Sequence, residues 1–175
     1  ADLAINFALN RLAEILGGII FISGLMLLIA LISYSPEDPN FIFPDNTEIK
    51  NFLGLRGSYV SDLFLQSVGL ISYLISITLI FTGISIFKKK DFFLIIENIF
   101  YTIPYCLIGS LFICYFHNNT FELFINGNGG FVGSYLNQTF LKNLISSNEN
   151  IFYYLLILLT SIAFLLSINF KPKDF

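Results

Sequence analysis

The stretch Ile15-Leu16-Gly17-Gly18-Ile19-Ile20-Phe21-Ile22-Ser23-Gly24-Leu25-Met26-Leu27-Leu28-Ile29-Ala30-Leu31-Ile32-Ser33-Tyr34 runs for twenty residues without a charged side chain. A helix of that length covers about 30 Å, the thickness of a bilayer's hydrocarbon core. With no water there to bond the backbone, the segment must close its own hydrogen bonds. Pro36 and Pro39 stop it. A cleaved signal peptide competes, since Ser33-Tyr34-Ser35 is a small-x-small triplet, but the run exceeds the usual ~7–15 apolar residues and proline follows at once. It reads as a retained transmembrane helix.

Three further segments repeat the pattern, at about 68–87, 96–116 and 151–170. The whole chain agrees: 55% of it is hydrophobic, 12% is charged, and mean hydropathy is +0.77. A soluble domain carries about 25% charged residues. The expected class is therefore all-α, a single four-helix integral membrane domain over residues 1–175, joined on one face by polar connections at about 35–67 and 117–150. Four spans use up that length and leave no room for a separate catalytic domain. The chain starts at Ala1 rather than Met and stops soon after Lys171-Pro172-Lys173, so it is expected to be an excised part of something longer.

Within the connections, Ser58 is the expected cap of a helix continuing from Tyr59 to Phe87, which would make the second span protrude from the bilayer. Lys88-Lys89-Lys90-Asp91 closes it, and Pro104 falls inside the third span. Asn126-Gly127-Asn128-Gly129-Gly130 is a strong turn signal. After it, Phe131, Val132, Tyr135, Leu136, Phe140, Leu144 and Ile145 recur at helical spacing. That predicts an amphipathic helix over 131–145, lying on lipid or covering the loop.

Charge orients the spans. Arg11, Lys88, Lys89, Lys90, Lys171 and Lys173 share one face, against Lys50, Arg56 and Lys142 on the other. The six lie in shorter segments close to helix ends, which predicts that this face, with both termini, is cytoplasmic. The opposite face carries Glu37, Asp38, Asp45, Glu48, Asp62, Glu122 and Glu149.

No catalytic, cofactor-binding or metal-binding residue is expected. The pattern G-x-x-x-x-G-K-[ST], whose amides and lysine cradle phosphates, does not occur. The lone His117 sits at a membrane edge with no base or nucleophile beside it. Cys106 and Cys114, eight apart on one helix, are beyond disulfide reach and read as small buried hydrophobes. A transporter or channel should carry ionisable groups at mid-membrane. Glu14 and Glu97 lie near the cytoplasmic ends only, Glu14 pairing with Arg11 and Glu97 expected to meet a cytosolic lysine. Asn118-Asn119-Thr120 and Asn137-Gln138-Thr139 match the glycosylation acceptor pattern, a frequent chance match that means nothing if the chain is bacterial.

What does repeat is a set of small residues: Gly69, Ser72, Ser76 and Gly83 on the second span, and Thr160, Ala163 and Ser167 on the fourth. Such stripes let helix backbones approach closely, either within the bundle or between chains.

Tyr34-Ser35-Pro36-Glu37-Asp38-Pro39, then Asn51-Phe52-Leu53-Gly54-Leu55-Arg56-Gly57-Ser58-Tyr59-Val60-Ser61-Asp62, then Gln66 and Gly69, resembles the first periplasmic connection of the FtsK/SpoIIIE family of DNA translocases. Gly129-Gly130-Phe131-Val132-Gly133 is similar to the Gly-Gly-x-x-Gly of that family's second outer loop. The resemblance marks Pro36, Asp38, Pro39, Asn51, Gly54, Gly57, Asp62, Gly129, Gly130 and Gly133 as the outer-loop motif. It implies a membrane anchor and assembly domain in the bacterial inner membrane at the division septum, coupling chromosome segregation to cell division. Membrane lipid, further copies of the chain (a hexamer by resemblance) and other cell-division membrane proteins are the partners it implies. ATP, magnesium and DNA would be handled only by a cytosolic motor, carried on a linker and absent from these residues. A small four-span transporter or channel, or a four-span protein with no motor, is the rival.

Overall fold

The computed structural model describes residues 2–40, 48–118 and 126–169. Among them every regular element is helical: α1 (Asp2–Ile32), α2 (Gly54–Val68), a 3-10 turn (Gly69–Ile71), α3 (Ser72–Lys89), α4 (Phe93–Phe116), α5 (Gly130–Asn137), α6 (Phe140–Ser147) and α7 (Glu149–Ser167). Four stretches are long and apolar enough to cross a membrane: Ala4–Ile32, Gly54–Lys89, Phe93–Phe116 and Glu149–Ser167. Large apolar side chains such as Ile22, Phe100 and Leu158 stay exposed on the outside of the bundle, which suits helices solvated by lipid. One end, the loop end, carries residues 33–40, 48–53, 117–118 and 126–129 of the connections. The other, the basic end, carries Lys88, Lys89 and Lys90. Lys171 and Lys173, with Asp45 and Glu122, lie outside the described residues.

Small residues bring α1 and α3 together. A Cβ on Gly83 would stand 2.5 Å from the Phe21 nitrogen, and one on Gly17 or Gly24 would stand 2.8 Å from α3 backbone atoms. Contacts this short exist only because the side chains are missing. At the basic end Lys90 closes α3 in the left-handed conformation (φ 57°), and its Nζ reaches Glu14 at 2.9 Å. Arg11 meets the same carboxylate at 2.5 Å, so Glu14 bridges α1 to the α3–α4 turn. Glu97 is exposed, and the lysine that pairs at this end has gone to Glu14 instead.

Three local expectations are corrected. Ser58 caps nothing: α2 already begins at Gly54 (φ 64°), and the Ser58 hydroxyl lies inside the helix, donating to the Pro39 carbonyl at 2.5 Å. The unbroken helix expected from Tyr59 to Phe87 is interrupted at Gly69 (φ 65°, ψ −144°), a conformation that essentially only glycine adopts. Instead of running on along α3, α2 turns back over α1, Leu65 clustering with Leu27 and Leu31. Finally, the single helix expected over 131–145 is two. Thr139 is extended (ψ −176°) and its hydroxyl accepts the Leu141 N–H, starting α6 afresh.

In the interior, polar side chains connect α3, α4 and α7. Thr78 Oγ1 lies 3.0 Å from both the Tyr105 hydroxyl and Ser167 Oγ. One turn nearer the basic end, Asn98 donates to Thr82 Oγ1 at 2.6 Å and accepts from Asn169 at 2.6 Å. Hydrogen-bonded in this way, the groups are tolerated in a medium without water.

Candidate functional site

The outer-loop residues singled out in the sequence converge at the loop end into one hydrogen-bonded knot. Its first half fastens the 33–53 connection to the end of α1. Pro36, with its fixed φ, occupies the second position of a turn closed by the Asp38 N–H on the Ser35 carbonyl. Buried Asp38 then accepts the backbone N–H groups of Lys50 and Asn51, each at 2.8 Å. Asn51, equally buried, donates to the Ala30 carbonyl at 2.9 Å and to the Ser33 carbonyl and Ser61 Oγ at 3.4 Å. Its own Oδ1 accepts the Leu53 N–H at 3.1 Å. Ala30 lies in the last turn of α1 and Ser33 directly after it, where carbonyls have no helical partner of their own. Asn51 and the Phe52 N–H on Ser33 Oγ thus finish what the end of α1 leaves open.

Gly57 makes this closure sterically feasible, since a Cβ there would fall 2.1 Å from Asn51 Oδ1. Pro39 holds the carbonyl that Ser58 bonds. At the surface Lys50 pairs with Glu37, which holds the Glu37 carboxyl below the usual carboxylate range and raises the Lys50 ammonium above its own.

The second half joins the two connections. Asp62 Oδ1 accepts from the Tyr34 hydroxyl at 3.3 Å and from Gln66 Nε2 at 3.4 Å. Asn126 from the other connection donates to the Gln66 carbonyl and Oε1, both at 3.3 Å. Beside it the Asn128 carbonyl accepts the Leu70 N–H at 3.0 Å, directly at the α2–α3 corner. A Cβ on Gly69 would stand 1.9 Å from that same carbonyl oxygen, and one on Gly130 would stand 2.5 Å from the Gly69 nitrogen. A Cβ on Gly129 or Gly133 would stand 2.5 or 2.4 Å from the Ser110 carbonyl oxygen of α4, while Ser110 Oγ donates to the Val68 carbonyl at 2.9 Å.

Pro36, Asp38, Pro39, Asn51, Gly54, Gly57 and Asp62 therefore stand in the first connection and α2, and Gly129, Gly130 and Gly133 pack the second connection against α4 and Gly69. The small-residue set divides between two places. Gly69 belongs to the knot. Ser72 and Ser76 are fully buried at the start and middle of α3, and Gly83 faces Gly17 and Phe21 of α1 within the same chain. On α7, Ser167 holds Thr78, and Thr160 approaches Gly109 of α4.

Sequence reasoning missed Ser33, Ser61, Ser110, Asn126 and Asn128 as members of the knot. Asn128 was visible only as part of a turn; it is fully buried, donating to the His117 and Asn118 carbonyls at 2.7 and 3.0 Å. Gly17 and Gly24, seven apart on α1, were a readable counterpart to Gly83. Cys106 and Cys114 are free thiols, and His117 lies among the rings of Phe112 and Tyr153. No group of three His, Cys, Asp or Glu able to hold a metal ion occurs among the described residues. Chemically the knot holds backbone in place, with the Asp38 and Asp62 carboxylates occupied as hydrogen-bond acceptors.

Comparison with known proteins places this arrangement. A DNA translocase FtsK from Rickettsia bellii is 29% identical over 158 residues, which is 87% of this chain and 19% of that protein. The Shewanella oneidensis DNA translocase FtsK is 32% identical over 108 residues (60% of this chain, 11% of the relative), and that of Caulobacter vibrioides is 32% identical over 79 residues (45% and 10%). The chain thus spans under a fifth of the length of these relatives. No solved structure matches it. The family model for the 4TM region of DNA translocase FtsK/SpoIIIE matches residues 10–172. Spanning both halves of the knot, most of the first membrane-capable stretch and all of the other three, that match makes the chain a member of the FtsK/SpoIIIE 4TM family.

Proposed function

We propose that this chain is the membrane anchor and assembly domain of a DNA translocase acting at the bacterial division septum. The observation that carries the reading is the family match over residues 10–172. In this reading the basic end faces the cytoplasm with both termini, the loop end is periplasmic, and copies of the domain associate in the inner membrane. Translocation, with its ATP and magnesium, belongs to the part of the relatives that the chain does not cover, because no phosphate-binding loop occurs in these residues. The knot's part is to present a fixed surface to other division proteins. A rigid platform supports such recognition better than a floppy linker, whose ordering would cost affinity.

Two measurements test it. Reporters active only in the cytoplasm should work in the 88–91 loop and after Phe175, and reporters active only outside should work at 40–50 and 120–130. A reversed signal at any site ends the orientation argument. A fluorescent fusion to the full-length protein should concentrate at mid-cell during constriction, and an even distribution around the membrane would remove the septal role.

A further inference from the structure

Between α1, α2 and α3, at the loop end, lies an apolar groove of about 430 Å³. Leu27 and Ala30 form one wall, Val60 and Phe64 of the folded-back α2 the other, and Leu79 the floor. Its volume is within the ~300–1,000 Å³ of sites that hold small molecules. The groove exists because Gly69 turns α2 across α1 without filling the angle between them. Arg56 borders it on α2, in i, i+4 register with Val60 and Phe64, so its charge stands on the same helix face as the apolar wall.

Arg56 is exposed and makes no ion pair among the described residues. Three carboxylates of the first connection and α2 are engaged elsewhere: Glu37 with Lys50, Asp38 with two backbone amides, Asp62 with Tyr34 and Gln66. An unpaired guanidinium at the lip of an apolar slot, level with the last turns of a transmembrane helix, is complementary to a molecule with an anionic head and a hydrocarbon tail. Arginine's planar fork suits a phosphate in particular. We infer that the groove binds one phospholipid from the leaflet at the loop end, its phosphate on Arg56 and one acyl chain between α1 and α2. The inference holds for either orientation of the domain in the membrane.

The test uses the chain in detergent micelles with dioleoylphosphatidylglycerol added, read by native mass spectrometry. One retained lipid per chain is expected. Arg56→Gln should cut retention about tenfold, as loss of a charge-assisted, bidentate contact would. Val60→Trp, which fills the groove from an exposed position and leaves the knot intact, should cut it as well. Dioleoylglycerol, with the same chains and no phosphate, should be held no better than by Arg56→Gln, and glycerol 3-phosphate should not displace the lipid. Equal retention by the parent and both variants would overturn the site, and displacement by glycerol 3-phosphate would reduce it to a phosphate site without a chain. A photo-crosslinking residue at position 60, activated in native membranes, should yield lipid adducts. Adducts with a second copy, or with another protein, would show that a helix occupies the groove and would overturn the proposal too.

Discussion

The knot at the loop end and the buried polar chain of α3, α4 and α7 both hold helices together with hydrogen bonds, yet they are built from opposite materials. In the knot, side chains bond mostly to backbone and glycines let one backbone press on another, as Asp38, Asn51 and Gly69 do. In the polar chain, Thr78, Tyr105, Ser167, Asn98 and Asn169 bond side chain to side chain. The first arrangement admits almost no substitution, because a backbone cannot move aside. The second sits among side chains that can reorient, so its members should be individually more replaceable.

The sharpest break of that comparison is Gly69→Ala. The new Cβ would meet the Asn128 oxygen at 1.9 Å, and the residue would be held at φ 65°, ψ −144°. Strain and overpacking together should destabilise the domain by about 3–5 kcal/mol. Unfolding in mixed micelles, followed by circular dichroism, measures it. A midpoint equal to that of the parent would show that the corner is not tight.

Next comes Asp38→Ala, which strands the Lys50 and Asn51 amides and should cost about 2–3 kcal/mol. The loss should be accompanied by rapid proteolysis near residues 48–53, where those amides reside. Uniform destabilisation with no new cleavage would mean that Asp38 does not hold the connection.

Smaller again is Asn98→Leu, which removes the bonds to Thr82 and Asn169 from the interior. Interhelical hydrogen bonds in membranes are modest, so about 1 kcal/mol is expected, without exposure of either connection to protease. A cost above that of Asp38→Ala would invert the comparison.

The smallest effect concerns the Glu37–Lys50 pair. Glu37's depressed pKa means that its contribution is present above the ordinary carboxylate range and lost as pH falls through the lowered value. Lys50's raised pKa means that its contribution is present below the ordinary ammonium range and lost as pH rises through the raised value. Both groups are fully solvated, so the change in melting midpoint across either limb should be slight and should vanish at high salt. Glu37→Gln should flatten both limbs, because the Glu37 carboxylate is also what raises the Lys50 value. A large, salt-resistant effect would move this pair from the rim of the knot to its centre.

How far each region could be read from sequence follows from the same contrast. The spans were legible because uncharged twenty-residue runs admit few alternatives in a bilayer. Half the knot was legible too, since Pro36, Asp38, Gly57 and Gly130 occupy positions where few residue types fit, and such positions form patterns. The corner was not: Gly69 stood in the family-like pattern and in the small-residue stripe, yet nothing local distinguishes a glycine that spares a neighbour from one that takes a forbidden ψ. Thr139 was hidden inside an apolar period that ran on past it and pointed to one helix. The polar chain left no trace, because Thr78 and Ser167 stand 89 positions apart and Asn98 and Asn169 stand 71 apart. Without charge, they also escape a search for ionisable groups in the membrane.

The bend at Gly69 has a bearing on length. Gly54–Lys89 is 36 residues of membrane-compatible helix, which would stretch to about 54 Å if straight and overshoot a hydrocarbon core of about 30 Å. Such hydrophobic mismatch is ordinarily relieved by tilting the helix or by thickening the lipid around it. Here the surplus is laid across the neighbouring helix. The 18 residues of α3 by themselves reach about 27 Å. A single glycine thus acts as a ruler, dividing the second stretch into a length that matches the bilayer's core and a remainder packed on α1.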